Sequence, residues 1–389
     1  DYLKRVGISE GEYYVLLLFS ISGMMLMGSA GDLIIVFLSL ELLSIPLYVL
    51  AGIDHKRDAS REASLKYFLL GTMASAFVLF GIAFVYGAAG TTSLYGITEA
   101  VSQGKVQQFL LICGSALLLA GFGFKVAAVP FHSWTPDVYH GSPSSVTAFM
   151  SVGAKAAGFA ALIRVFSLNF TAIAIELTPL FWVLSALTMI VGNVVAVAQT
   201  NLKRMLAYSS IAHAGYILMA FVGFGDAAVR QNSIASALFY LAAYALTSLG
   251  AWSVLVAVEQ QDGSGNEISD LAGLGKTAPS LAAAMVVFML SFTGIPLTLG
   301  FWGKFYLFRT AIEGGFTYLA VAGLLTSLVS AFYYLRVVVK MYFQPGEALA
   351  HKGRLTSLIA TILAILVVGL AFVPGYLFNL AAAGLIAGA

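Results

Sequence analysis

Apolar residues in this chain do not alternate with polar ones; they come in long blocks. Runs of about 18 residues recur from one end to the other, separated by short polar segments. A block of that length matches a helix crossing a hydrocarbon core and is too long for a barrel strand. Eleven spans read out: 12–29, 31–52, 64–89, 107–129, 142–166, 180–199, 205–224, 234–258, 278–310, 318–343 and 355–380. The expected fold is all-α, a polytopic membrane helical bundle of about eleven transmembrane helices. The connecting segments fix the register. With residues 1–11 on the cytoplasmic side, the inside segments hold Lys4, Arg5, Lys56, Arg57, Arg61, Lys203, Arg204, Lys276, Lys340, Lys352 and Arg354. The outside segments hold only Lys105, Arg164, Arg230 and Arg309. This positive-inside bias supports the count and puts the C-terminus outside.

Two spans carry breakers. The fourth runs into VPFHSWTPDVYHGSP, and the ninth contains SFTGIPLTLGFWGKF. Proline removes a helix hydrogen bond and clashes with the preceding turn, so breaks are expected near Pro130 and Pro296. Each break falls in the fourth helix of a set of five. Five is odd, so the second set is expected to be inverted in the membrane, the pattern that points to a transporter's working site. The expected units are a first repeat over 1–166, a second over 167–343 and a C-terminal transmembrane helix over 344–389. The correspondence is imperfect: Lys125 lies five residues before Pro130, whereas Lys304 lies eight after Pro296. Chance coincidence of two kinked helices is the alternative.

Composition agrees. Of 389 residues, 60% are hydrophobic and 10% charged, against about 25% charged in soluble domains. A net charge of +2 gives no pointer to nucleic acid. The single cysteine, Cys113, can neither close an intrachain disulfide nor hold an iron–sulfur cluster. The sequence starts at Asp1 and shows no cleavable basic leader.

The candidate chemistry lies inside the spans: Glu41 in LSLELLSIP, Lys125 in FGFKVAAVP, Lys155 in SVGAKAAGF, His213 in SSIAHAGY and Lys304 in GFWGKFY. A charged side chain at mid-helix costs about 3 kcal/mol on insertion scales, so four of them oppose insertion by about 12 kcal/mol unless compensated. That is as large as a domain's stability. Function is the default explanation, with a bland one beside each residue. Lys125 can snorkel if its helix ends at Pro130, and Lys304 can cap carbonyls freed by the break. Glu41 can be a static partner of a lysine. Lys155 lies too deep to snorkel easily, and His213 can be a satisfied interior group.

A desolvated amine loses proton affinity and a nearby carboxylate restores it. At ~4 Å and an effective dielectric near 20 the two interact by about 4 kcal/mol. A glutamate able to approach or leave a lysine is therefore a switch, and lysines and a histidine with water between them make a conducting path. A metal site fits poorly, because lysine is not a usual ligand. LAGLGKTAPS at 271–280 has Asp270 where a P-loop needs glycine, and GFGF at 121–124 lacks the third glycine of a dinucleotide motif. The Gly/Ser-rich stretch 259–270 reads as a solvated cytoplasmic connector.

LSLELLSIPLYVL, FGFKVAAVPFHSWTPDVYHGSPSSVTAFMS, NLKRMLAYSSIAHAGYILM and GIPLTLGFWGKFY closely resemble the antiporter-like membrane subunits of proton-pumping NADH:quinone oxidoreductase, respiratory complex I. The WTPDVYHGSP wording resembles the subunit N (subunit 2) branch rather than L or M. The resemblance covers essentially the whole chain. It implies about fourteen helices in two inverted five-helix repeats, and hence a chain short of about three N-terminal helices. It implies that Glu41 is the family's fifth-helix glutamate and Lys125 the seventh-helix lysine paired with it. Lys155 would be the central eighth-helix lysine, His213 the connecting group on the tenth helix, and Lys304 the twelfth-helix lysine. It further implies proton translocation driven by electron flow from NADH to quinone. FMN, iron–sulfur clusters and quinone would lie in partner subunits, with no cofactor in this chain. The expected partners are a neighbouring antiporter-like subunit, small helical subunits and the lipid bilayer; the expected location is the bacterial inner membrane. Two rivals stay open: an Mrp-type cation/proton antiporter subunit and a structural spacer in a hydrogenase-like complex.

Overall fold

The computed structural model describes residues 2–260, 264–351 and 353–386. The described residues form helices joined by short connectors, with no strand beyond two isolated bridges. Each span of the sequence reading corresponds to a helix or a pair of helices. In order they are Glu10–Ser29, Leu33–Ala51, Asp58–Ala89, Gln108–Val126, Ser144–Asn169, Thr171–Val197, Leu202–Leu218 and Ala227–Val258, then the pair Pro279–Thr293 and Leu299–Glu313, then Thr317–Phe343 and Arg354–Gly369. A turn over Leu370–Phe372 leads into a last helix, Pro374–Ile386. Nine described helices are long and apolar enough to cross a bilayer, so the chain is a multi-pass membrane protein.

The remaining two spans differ for physical reasons. The ninth is split into two short helices by its Gly/Pro break. The seventh, Leu202–Leu218, carries a polar run, Tyr208-Ser209-Ser210 and His213, and is the most enclosed helix in the bundle. Every side chain on it is buried except Arg204 and Tyr208, which are half-buried. A helix that never meets lipid does not need a continuous apolar surface. It seats closely against Thr171–Val197 because both contribute glycine. A Cβ at Gly192 would lie 2.6 Å from the Ala212 amide nitrogen, and one at Gly215 would lie 2.6 Å from that of Met189. Small residues at such crossings let backbones approach, which is how helices associate where lipid is as apolar as leucine.

The outer helices show the reverse pattern. Thr317–Phe343 turns Leu324, Leu325, Leu328 and Phe332 outward, while Tyr333, Tyr334 and Val337 are buried. Ser327 and Ser330 on the same helix are buried with them. The connector 259–270 is only partly solvated: Ser264, Glu267, Ser269 and Asp270 are exposed. Residues 261–263 lie outside the described residues, but Glu259, Asn266, Ile268 and Leu271 are all buried. Residues 266–268 bridge back to Thr200 and Leu202, so this stretch is pinned to the bundle.

Candidate functional site

The two breaks share one arrangement. The fourth helix ends at Val126 and the chain passes through Ala127 in the left-handed region, at φ 62°, before the short helix Trp134–Gly141. The first half of the ninth ends at Thr293, followed by Gly294 at φ 86° and Leu297 at φ 74°. Lys125 sits in the last turn before its break. Lys304 starts beyond its break and reaches back, its Nζ donating to the carbonyls of Phe292 (2.8 Å) and Thr293 (2.9 Å) and to Ser327 Oγ (2.7 Å). Both amines therefore belong to the C-terminal end of a half-helix, the end where the backbone dipoles favour a cation. This explains why their offsets from proline differ in sequence. Gly294 makes Lys304's reach possible, since a Cβ there would lie 3.0 Å from Lys304 Cδ. Gly294→Ala is expected to cost about 1–2 kcal/mol from the left-handed backbone. It should also displace the Lys304 amine, so that both thermal unfolding and coupled activity fall.

All three lysines of the sequence reading are buried, at 4% exposure for Lys125, 2% for Lys155 and 4% for Lys304. Lys125 does not snorkel. Its Nζ donates to Ser44 Oγ (2.8 Å) and to Tyr67 Oη (3.2 Å). The Tyr67 ring in turn stacks on Trp134, in the segment after the break, at 4.5 Å. Lys155 follows a π-helical turn over Met150–Ala154 and donates to the carbonyl (2.5 Å) and Oγ (2.6 Å) of Ser210. Ser210 Oγ also accepts from Tyr244 Oη at 2.9 Å. The helix carrying Lys155 lies against Lys125, because a Cβ at Gly158 would sit 3.4 Å from Lys125 Cγ. His213 is buried between two phenols: Nδ1 is 2.5 Å from Tyr240 Oη and Nε2 is 3.0 Å from Tyr334 Oη. Lys304 Nζ lies 4.9 Å from the centre of the Tyr216 ring.

Glu41 is placed differently from the pairing the resemblance implied. Among the described residues it forms no direct ion pair with Lys125. Glu41 accepts a hydrogen bond from Ser75 on the third span, and Lys125 instead meets Ser44, three residues along Glu41's own helix. Lys125 thus meets Glu41's helix about one turn from Glu41, without an ion pair between them. Glu41 is half-buried.

Sequence reading missed two things. One is the set of phenols, Tyr67, Tyr240, Tyr244 and Tyr334, all buried. The signal was present as Tyr240 and Tyr244 one helical turn apart, but aromatic residues in a membrane span are ordinary. The other is Lys203, counted as a cytoplasmic loop cation. It is 0% exposed and lies 3.3 Å from the Glu259 carboxylate, which is 1% exposed. Its Nζ donates to the Ser142 carbonyl (2.8 Å), while Glu259 accepts from Tyr2 Oη (2.9 Å) and lies 3.8 Å from Arg57. Two residues far apart in sequence, each at a helix end, gave no local sign of a buried pair.

A family model described as NADH:quinone oxidoreductase/Mrp antiporter, TM, matches residues 30–330. The chain belongs to this transmembrane family. Within the NADH:quinone oxidoreductase/Mrp family it is 47% identical over 376 residues to NADH-quinone oxidoreductase subunit N of Trichlorobacter lovleyi. That alignment spans 96% of this chain and 76% of the relative. Among solved structures, it resembles a chain of respiratory complex I from Thermus thermophilus with bound aureothin. The TM-score is 0.82 at 39% identity, covering 95% of this chain and 79% of that one. A chain of the Mrp complex from Dietzia sp. DQ12-45-1b superposes with TM-score 0.85 at 22% identity, covering 94% and 76% respectively. At that identity the likeness shows the shared fold alone.

Proposed function

We propose that this chain is the proton-translocating subunit N of an NADH:quinone oxidoreductase, and that Glu41, Lys125, Lys155, His213 and Lys304 carry the protons. One observation bears most of the weight. The three intramembrane lysines are buried, and each donates only to uncharged oxygens. An amine held by hydroxyls and carbonyls can exist with or without its extra proton. One paired with a carboxylate, as Lys203 is with Glu259, is held toward its charged form by that partner. The first kind suits a carrier and the second a strut.

In this reading Glu41, one turn from Ser44, sets the proton affinity of Lys125 from a short distance rather than by contact. Protons then step through Lys155 and His213 toward Lys304. Direct hydrogen bonds join the polar groups in clusters, so bridging water carries the proton between clusters, admitted at the two helix breaks. The five-helix sets 1–166 and 167–343 act as inverted halves with one broken helix each, and 344–389 adds the closing span. The membrane is a bacterial inner membrane with residue 1 cytoplasmic and the C-terminus outside. Electron transfer through FMN and iron–sulfur clusters to quinone takes place in partner subunits, and this chain contributes no cofactor. A neighbouring antiporter-like subunit and small helical subunits flank it.

Two comparisons support this over the Mrp-type antiporter: the relative at 47% identity is named subunit N, whereas the Mrp likeness stands at 22%. The test is co-migration. In solubilised native membranes the chain is expected to run with NADH dehydrogenase subunits. Migration apart from them, together with sodium-dependent proton flux from the purified chain, would establish the antiporter instead.

A further inference from the structure

His213 has both ring nitrogens occupied by phenols, and those phenols lead in opposite directions. On one side, Nε2 meets Tyr334 Oη at 3.0 Å, and Tyr334 Oη lies 2.5 Å from Ser209 Oγ. Ser209 adjoins Ser210, the residue that receives the Lys155 amine. On the other side, Nδ1 meets Tyr240 Oη at 2.5 Å. The Tyr240 ring packs on the backbone of Gly303, where a Cβ would sit 2.5 Å from Tyr240 Cδ2. Gly303 immediately precedes Lys304. The Nε2 side thus ends at the residue before Ser210, and the Nδ1 phenol packs on the residue before Lys304.

A neutral imidazole has one donor nitrogen and one acceptor nitrogen, and a phenol can do either. With both nitrogens bonded to phenols, each tautomer is matched by reversing the direction of the hydroxyls. We propose that Tyr334 and Tyr240 are proton-transfer residues in their own right, passing protons into and out of His213 by tautomer exchange. This rests on the proton-translocating function proposed above.

Take the tautomer with hydrogen on Nδ1. An incoming proton joins Ser209 Oγ as the Ser209 proton moves to Tyr334 Oη and the Tyr334 proton moves to Nε2, giving an imidazolium. The Nδ1 proton then moves to Tyr240 Oη as Tyr240 releases its own proton toward Lys304. One proton has entered and one has left. Each hydroxyl holds the number it began with, and the ring now carries its hydrogen on Nε2. Rotation of the hydroxyls and a turn of the imidazole ring that brings its protonated nitrogen to the Tyr240 side reset the path before the next proton, with no proton moving backward.

The experiment uses the intact complex in sealed vesicles. Tyr240→Phe and Tyr334→Phe should each lower coupled proton translocation by roughly a hundredfold or more, the range a positioned proton donor contributes. NADH oxidation by a soluble acceptor should persist, showing that assembly survives. Tyr333→Phe is the control, because that phenol donates to Asn193 Oδ1 (2.9 Å) and not to the ring. Fluorotyrosine at 240 or 334 keeps the shape and changes the phenol's proton affinity, so it should shift the pH profile of coupled turnover without loss of assembly. Infrared spectra of complex with ¹⁵N-labelled histidine should show two tautomer bands collapsing to one in either Phe variant. Full pumping in both Phe variants with an unmoved fluorotyrosine pH profile would overturn the proposal. If Lys155→Ala and Lys304→Ala still abolish pumping in that case, the subunit's function stands and only the phenol path falls. If they do not, both fall.

Discussion

Lys125→Ala is expected to leave the complex assembled and to stop it pumping. Lys125 forms no ion pair whose loss would strand a buried charge. Its partner Ser44 keeps a hydrogen bond to the Leu40 carbonyl at 2.5 Å, so truncation costs about 1–3 kcal/mol for the lost bonds and volume. The effect on transfer is far larger. A positioned acid–base group contributes about 10² or more to a proton-transfer rate. Proton-to-electron stoichiometry and coupled NADH:quinone turnover in vesicles should both collapse, while yield and subunit composition hold. Lys125→Arg separates charge from exchange. A guanidinium stays protonated, so it should preserve the fold and fail to pump. An unchanged stoichiometry in Lys125→Ala would remove the residue from the path.

Lys203→Ala should do the opposite, acting on stability before transport. Removing one partner of a buried pair costs about 3–5 kcal/mol, because the remaining charge stays in a medium that cannot solvate it. The lower end is expected here, since Arg57 remains 3.8 Å from Glu259. Thermal unfolding of the assembled complex should shift downward, and subunit yield should fall. Replacing both members by apolar residues, Lys203→Met with Glu259→Leu, should recover much of the loss, because the pair's desolvation penalty goes with it.

The same pair predicts an acid limb. Burial alone raises the Glu259 carboxyl, but Lys203 and hydrogen bonds from Tyr2 and Asn266 outweigh it and hold the group below its ordinary value. A depressed carboxyl contributes stability that is complete above its unfolded value, near pH ~4.3. That stability is lost as pH falls through the lower folded value. In Lys203→Ala the main opposing influence is gone, so the acid transition should begin at higher pH than in wild type. Unfolding midpoints measured between neutral and acid pH check the sign; identical acid limbs would show that Lys203 does not govern Glu259.

The sequence by itself marked the long apolar spans and the two breaks, because each is a local property. Eighteen apolar residues form a helix in lipid whatever their neighbours, and a Gly/Pro cluster interrupts it whatever lies beside it. It also flagged Glu41, Lys125, Lys155, His213 and Lys304, since an ionisable group inside such a run stands out against its own background. The tertiary structure decided what each of them touches. Lys125 finds Ser44 and Tyr67 rather than Glu41, and Lys304 reaches backward across its own break. His213 falls between two phenols from different helices. Lys203, which looks from its sequence like a solvated loop cation, is sealed against a glutamate 56 residues away. These are contacts between segments remote in sequence, set by how close the helices approach, and no local pattern encodes that distance.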